Sequence, residues 1–170
     1  QGIAAILQTR IDMKFILLFL LFTTGCQAEP SQPVELGTVK WSRDLDASLE
    51  ASKKSGKPIL FFFKKFPGEG LQGLWAKVLS HPALVKLIEA HFEPVAIYNN
   101  ANGKDAKILK EFKEPAWNYQ VIRFITHEKE DIIPRRDKIN TVPAVAARMI
   151  EALEKKKREV PEELRALGKK

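Results

Sequence analysis

A chain of 170 residues, 45% of them hydrophobic, has room for one compact domain and enough apolar mass to fill a sizeable core. Its 28 Lys and Arg against 21 Asp and Glu leave a formal charge of +7, an attraction for anionic partners such as a membrane surface, nucleic acid or an acidic protein. Cations and acids are nevertheless interspersed throughout, with one dense run at Lys155 to Arg158, so the pattern is that of a solvated surface and names no partner.

The first informative stretch starts at Met13. Met13-Lys14 gives a short positive region, and Phe15 to Phe22 is an unbroken apolar run. Eight residues span only about 12 Å as a helix against a hydrocarbon core of about 30 Å, so the run is too short for a membrane span and reads as a secretory signal over residues 13–28. Residues 1–12 precede it without an initiating Met and are expected to be an overextended gene start. The single cysteine, Cys26, ends Thr23-Thr24-Gly25-Cys26, which resembles the lipobox at which bacterial lipoprotein precursors are acylated on Cys and cut before it. Gly25 fits that pattern, whereas Thr23 stands where Leu is usual. Cleavage after Ala28, with Cys26 and Ala28 as the small residues of an A-x-A-like site, is the competing reading. Several acyl chains on Cys26 would hold the product at the membrane.

Residues 29–36 carry two prolines without apolar periodicity and read as a tether. The folded domain is expected over residues 37–157, with 158–170 as a charged tail. Thr38 to Trp41 reads as a short strand, and Ser42 as the N-cap of a helix from Asp44 to Ser55 that buries Leu45 and Leu49 and stops at Gly56. After Pro58, Ile59 to Phe63 is a continuous apolar run of strand length, the pattern of a strand covered on both faces. A loop with Pro67 and three glycines leads to a helix from about Leu74 to Leu79, and Ser80-His81-Pro82 starts a second helical piece through His91. Glu93 to Tyr98 reads as a buried strand, Asn99 to Gly103 as a turn, and Lys104 to Lys113 as a helix carrying Ile108, Leu109 and Phe112. Val121 to Ile125 forms a third strand, Thr126 to Glu130 a turn, and Asp131 to Pro134 a short strand. The last helix runs from about Thr141 to Lys157 with Val145, Met149, Ile150 and Leu153 inward.

That order, with a Trp-ended first strand, a Lys-Pro entry to the central strand and Leu79-Ser80-His81-Pro82, resembles the thioredoxin-like proteins over roughly Val39 to Leu153. Phe66-Pro67-Gly68, Pro94 to Asn100, Glu114-Pro115-Ala116-Trp117-Asn118 and Pro134-Arg135-Arg136 look like an exported bacterial branch of that superfamily. The resemblance implies an α/β fold, a three-layer α/β/α sandwich around a central mixed sheet. In thioredoxins a Cys-x-x-Cys lies between the central strand and the next helix, whose N-terminus lowers a thiol pKa. Here that stretch is Gly68, Glu69, Gly70, Leu71, Gln72 and Gly73, and without sulfur it can form neither a thiolate nor a mixed disulfide. The family's cis-proline before the third core strand is matched by Tyr119-Gln120. A cis bond there would cost about 3 kcal/mol, so a trans bond is expected.

The same loop spells G-x-G-x-x-G, the dinucleotide fingerprint. Lys64 to Pro67 separate its first glycine from the strand, and Asn99 and Asn100 stand where an Asp or Glu would hold the ribose, so no nucleotide and no other cofactor is expected. His81, His91 and His127 lack the i, i+3 or i, i+4 spacing of helical metal ligands, and no metal is expected. No hydrolase or Walker motif is present. Trp75 and Trp117 flank the places where a thioredoxin meets its substrates. They read either as core or, with Glu69, Gln72, Tyr119 and Gln120, as the lining of a peptide groove. The expectation is a non-catalytic binding or scaffold module of the cell envelope, in the periplasm or on the membrane, with a protein or peptide partner and no nucleic acid. The alternative is a thiol-disulfide oxidoreductase relative that works with a cysteine-bearing partner.

Overall fold

The computed structural model describes residues 32–65, 72–117 and 120–169. A four-stranded mixed sheet in the order β2-β1-β3-β4 forms the centre. Its strands are β1 (Ile59–Lys64), β2 (Glu93–Tyr98), β3 (Gln120–Ile125) and β4 (Arg136–Asp137). β1 runs parallel to β2 and antiparallel to β3, and all six of its residues are buried, as an unbroken apolar run demands of a strand with both faces covered.

Alternation along β1 sorts the molecule into two cores. Ile59, Phe61 and Phe63 point to the side where α1 (Leu45–Ser55) and α4 (Lys104–Glu111) supply Leu45, Leu49, Ile108 and Leu109. Leu60 and Phe62 point the other way, into a larger cluster with α2 (Gln72–Val78), α3 (Pro82–His91), α5 (Val142–Lys155) and α6 (Glu162–Gly168). Three layers result, the α/β/α sandwich expected from the element order. Among the described residues no helix is long and apolar enough to cross a membrane.

Local chemistry accounts for the element ends. Asp44, rather than Ser42, caps α1 by accepting from Ala47 N–H at 3.1 Å, and Gly56 ends the helix with φ 68°. His81 Nδ1 caps α3 by accepting from Leu84 N–H at 3.4 Å, and Pro82 occupies the first helical position.

Three segments differ from the sequence expectation. Thr38 to Trp41 form no strand; contact with the sheet is made at Ser42, bridged in parallel to Val95. The tether ends sooner than residue 36: Val34–Leu36 make a 3-10 turn with Leu36 fully buried, its carbonyl accepting from Trp41 Nε1 at 2.9 Å. Gly37 follows at φ 62°, where an added Cβ would lie 2.3 Å from the Leu79 backbone, so only glycine fits. The segment read as a charged tail contains α6, which buries Leu164 completely and Leu167 nearly so, with Val160 just ahead of it.

Near the sheet edge, Asp131 bridges Ile125, but the expected strand stops there. Pairing resumes as β4, with Arg136 opposite Ile122. Five steps of the outer strand therefore face three of β3, a bulge that turns the consecutive residues Ile132 and Ile133 both into the core.

Candidate functional site

The carboxyl end of a parallel strand pair is where open α/β sheets present ligand sites, because the chain leaves the sheet there in loops. In this molecule that end is set by Lys64, which sits opposite Tyr98 of β2 and Gln120 of β3. Lys64 continues the Leu60–Phe62 alternation and so points toward the larger core, where it is only 2% exposed. Its ammonium donates to Lys65 O at 3.1 Å. Burial holds its pKa below the ordinary lysine value, while the carboxylate of Glu35, itself buried on the 3-10 turn, pulls the other way.

Trp75 lies against this end from α2, its ring 5.1 Å from that of Phe62. It is fully buried, and among the described residues its Nε1 has no hydrogen-bond partner. A groove lined by Trp75 is therefore ruled out; its ring belongs to the core, and the groove expectation is corrected at that position. Gln120 is buried at the mouth of the sheet on one side of Lys64, and Asn99 is buried on the other, its N–H donating to Lys64 O at 3.0 Å. Gln72 and Gly73 form the first turn of α2. Gly68, Glu69, Gly70, Leu71 and Tyr119 lie outside the described residues, as does Cys26.

Trp117 behaves oppositely to Trp75. It stands on the turn before β3 with 75% of its surface exposed. Just upstream, Glu114 is buried and accepts from Arg135 through Nε at 2.8 Å and Nη2 at 3.0 Å, and from Arg123 at 3.1 Å. Arg123 also pairs with Asp131 at 2.7 Å. Donating to the Glu114 carboxylate raises the Arg135 pKa above its ordinary value. Charge-assisted, bidentate bonding of this kind fixes geometry, so the indole is displayed from an anchored turn. On the β2 side, Arg43 stacks over the Tyr98 ring at 3.5 Å and bonds both Ala96 O and Asp105, whose Oδ2 also accepts from Tyr98 N–H at 3.0 Å.

Sequence reasoning reached Gln120 and Trp117 but missed Lys64, Glu35 and the Glu114 cluster. A signal existed for the first: Leu60, Phe62 and Lys64 share one parity, so a strand extended by one residue places the lysine inward. Among the described residues no three His, Cys, Asp or Glu side chains group as metal ligands. His81 caps α3, His91 lies in its last turn and His127 contacts Glu128 at 2.7 Å, three separate places.

No protein-family model matches the chain, and no curated protein is significantly similar to it. A solved structure described as "DsbH Oxidoreductase" is similar at a TM-score of 0.52 and 17% sequence identity, over 77% of this chain and 95% of its own. Likeness at that identity speaks for architecture. With the mixed four-stranded sheet covered by helices on both faces, it establishes that this chain has a thioredoxin-like α/β fold.

Proposed function

We propose that the chain is an exported thioredoxin-like protein, held at the membrane through Cys26, that binds an envelope protein or peptide with the carboxyl end of its sheet and carries out no thiol chemistry alone. The observation that carries this reading is the exposed Trp117 on a turn anchored by Glu114, at the end of the sheet where the fold offers a ligand site. An amphipathic, rigid indole is a frequent anchor of protein interfaces. The sequence supports the rest. Its one cysteine lies ahead of the domain, and the Met13 to Ala28 stretch has the organisation of an export signal. The family's cysteine pair and cis-proline have no counterparts at Gly68 to Gly73 or Tyr119-Gln120.

The test is capture of partners by the full chain from detergent-extracted membranes, compared between wild type and Trp117→Ala, with thermal melts run alongside. Loss of the partner at an unchanged melt supports the reading, and equal capture by both chains rejects it. A second reading, a relative of thiol-disulfide oxidoreductases that borrows cysteines from a partner, is favoured by the likeness to a structure described as an oxidoreductase. Turnover of a model disulfide by this chain, at a rate above background and only with a Cys-x-x-Cys protein present, would select it.

A further inference from the structure

The opposite end of the sheet carries a feature that the proposed function leaves unused. A cleft of about 130 Å³ opens there between the end of α1, the start of β1 and the turn after β3. Lys53, Lys57 and Lys156 line it together with His127, Ser52 and Thr126, and no Asp or Glu is among its lining residues. These cations come from segments about a hundred residues apart in sequence. The dense basic run at Lys155 to Arg158 is folded back onto the end of α1, where Arg158 Nη1 donates to Gly56 O at 2.6 Å.

Among the described residues, neither Lys53, Lys57 nor Lys156 takes part in an ion pair, and the Lys57 ammonium donates to Glu89 O at 3.2 Å. Of the acids near this end, Glu89 accepts from Lys40 N–H, Glu93 from Ser55 and Glu154 lies on Arg165, while Glu128 contacts His127 at the rim of the cleft and Glu159 acts on His91. Lys53 and Lys156 stand at the C-terminal ends of α1 and α5, where helix dipoles favour cations, and Lys57 follows the Gly56 cap of α1; the fold brings these two helix ends to one cleft. Burial is the first cause that lowers the His91 pKa; Arg158 and Lys57 add to it, and Glu159 opposes them.

We propose that this cleft takes the phosphate of an anionic phospholipid headgroup and seats the base of the sheet on the membrane. Such a surface attracts clustered lysines over about a Debye length, and the seat leaves the opposite end, with Trp117, turned toward partners. The inference rests on the proposed membrane address and deepens it.

The test uses the full chain carrying Cys26→Ser, so that binding is read without acylation and stands or falls separately from the anchor. Partitioning is measured onto vesicles of phosphatidylcholine with and without phosphatidylglycerol. The expected result is a preference for the anionic vesicles that falls by roughly tenfold or more in Lys53→Glu/Lys156→Glu. It should hold within about twofold in Lys107→Glu/Lys110→Glu, which changes net charge equally on the exposed side of α4. Equal losses in both pairs would overturn the proposal in favour of net charge alone, and so would absence of any preference in the parent chain. Saturable binding of inorganic phosphate without vesicle preference would overturn the lipid assignment. Should the reversed pair fail to fold by circular dichroism, Lys53→Gln/Lys156→Gln provides the same comparison at lower electrostatic cost.

Discussion

Trp75 and Trp117 are the same residue type on the same side of the sheet's end, yet burial separates them completely. The first is enclosed and the second three-quarters exposed. Sequence could not sort them, because both sit beside short apolar stretches and neither helical nor strand periodicity reaches Trp117. Energetics should sort them at once. Trp75→Ala opens a cavity under Phe62 and is expected to cost about 3–5 kcal/mol, whereas Trp117→Ala should stay within about 0.5 kcal/mol, both read from urea unfolding. Trp75→Phe refines the point. The buried indole N–H lacks a partner among the described residues, a desolvation cost of about 1–3 kcal/mol, so removing it should offset part of the lost packing and leave the variant far nearer wild type than the alanine. A Phe variant as unstable as the Ala variant would mean that Nε1 does find a partner in solution.

Elements were legible where pattern and caps agreed, and hidden where charge masked the pattern. β1, β2 and α3 follow from uninterrupted apolar runs, a Pro-Val-Ala-Ile core and the His81-Pro82 start, and the structure puts their boundaries within a residue of the expectation. α6 was missed because Val160, Leu164 and Leu167, spaced four and three apart, are set among lysines, arginines and glutamates that dominate a composition count. Its docking is close. An added Cβ at Gly168 would meet Ile150 Cδ1 at 2.9 Å, and Arg165 reaches Glu154 at 3.0 Å. Leu164 is the best probe of whether this last helix is structural, since it is fully buried in the larger cluster. Leu164→Ala is expected to cost about 2–5 kcal/mol in chemical denaturation. A change under about 0.5 kcal/mol, the scale of a surface site, would restore the charged-tail reading.

At the scale of the whole molecule, what sequence could not supply is convergence. Nothing in a linear reading brings Lys53 to Lys156, or Glu35 to Lys64, because these meetings are made by the sheet and its crossovers, not by local periodicity. One consequence concerns global stability against pH. Burial holds the His91 imidazole below its ordinary value, and Arg158 and Lys57 push the same way while Glu159 opposes them. With the folded pKa depressed, the unfolded chain takes up the proton first, so this group's contribution is complete above about pH 6.5 and is lost as pH falls through the lower, folded value. The sign is the same for Lys64, whose contribution is complete above about pH 10.5. Asp44, whose carboxyl is lowered mainly by the Ala47 N–H, titrates below 3.8, beneath the window. Urea midpoints should therefore fall between pH 7 and pH 5, and His91→Gln, which cannot titrate, should flatten that fall relative to wild type. Salt separates the causes. Because burial is the larger one, most of the difference between the two chains should survive in 1 M NaCl, where a Debye length of about 3 Å screens Arg158 and Lys57. If the difference vanishes in salt, the basic end of the sheet, and not burial, sets the protonation of His91; if the two chains show the same slope in low salt, His91 does not couple to unfolding at all.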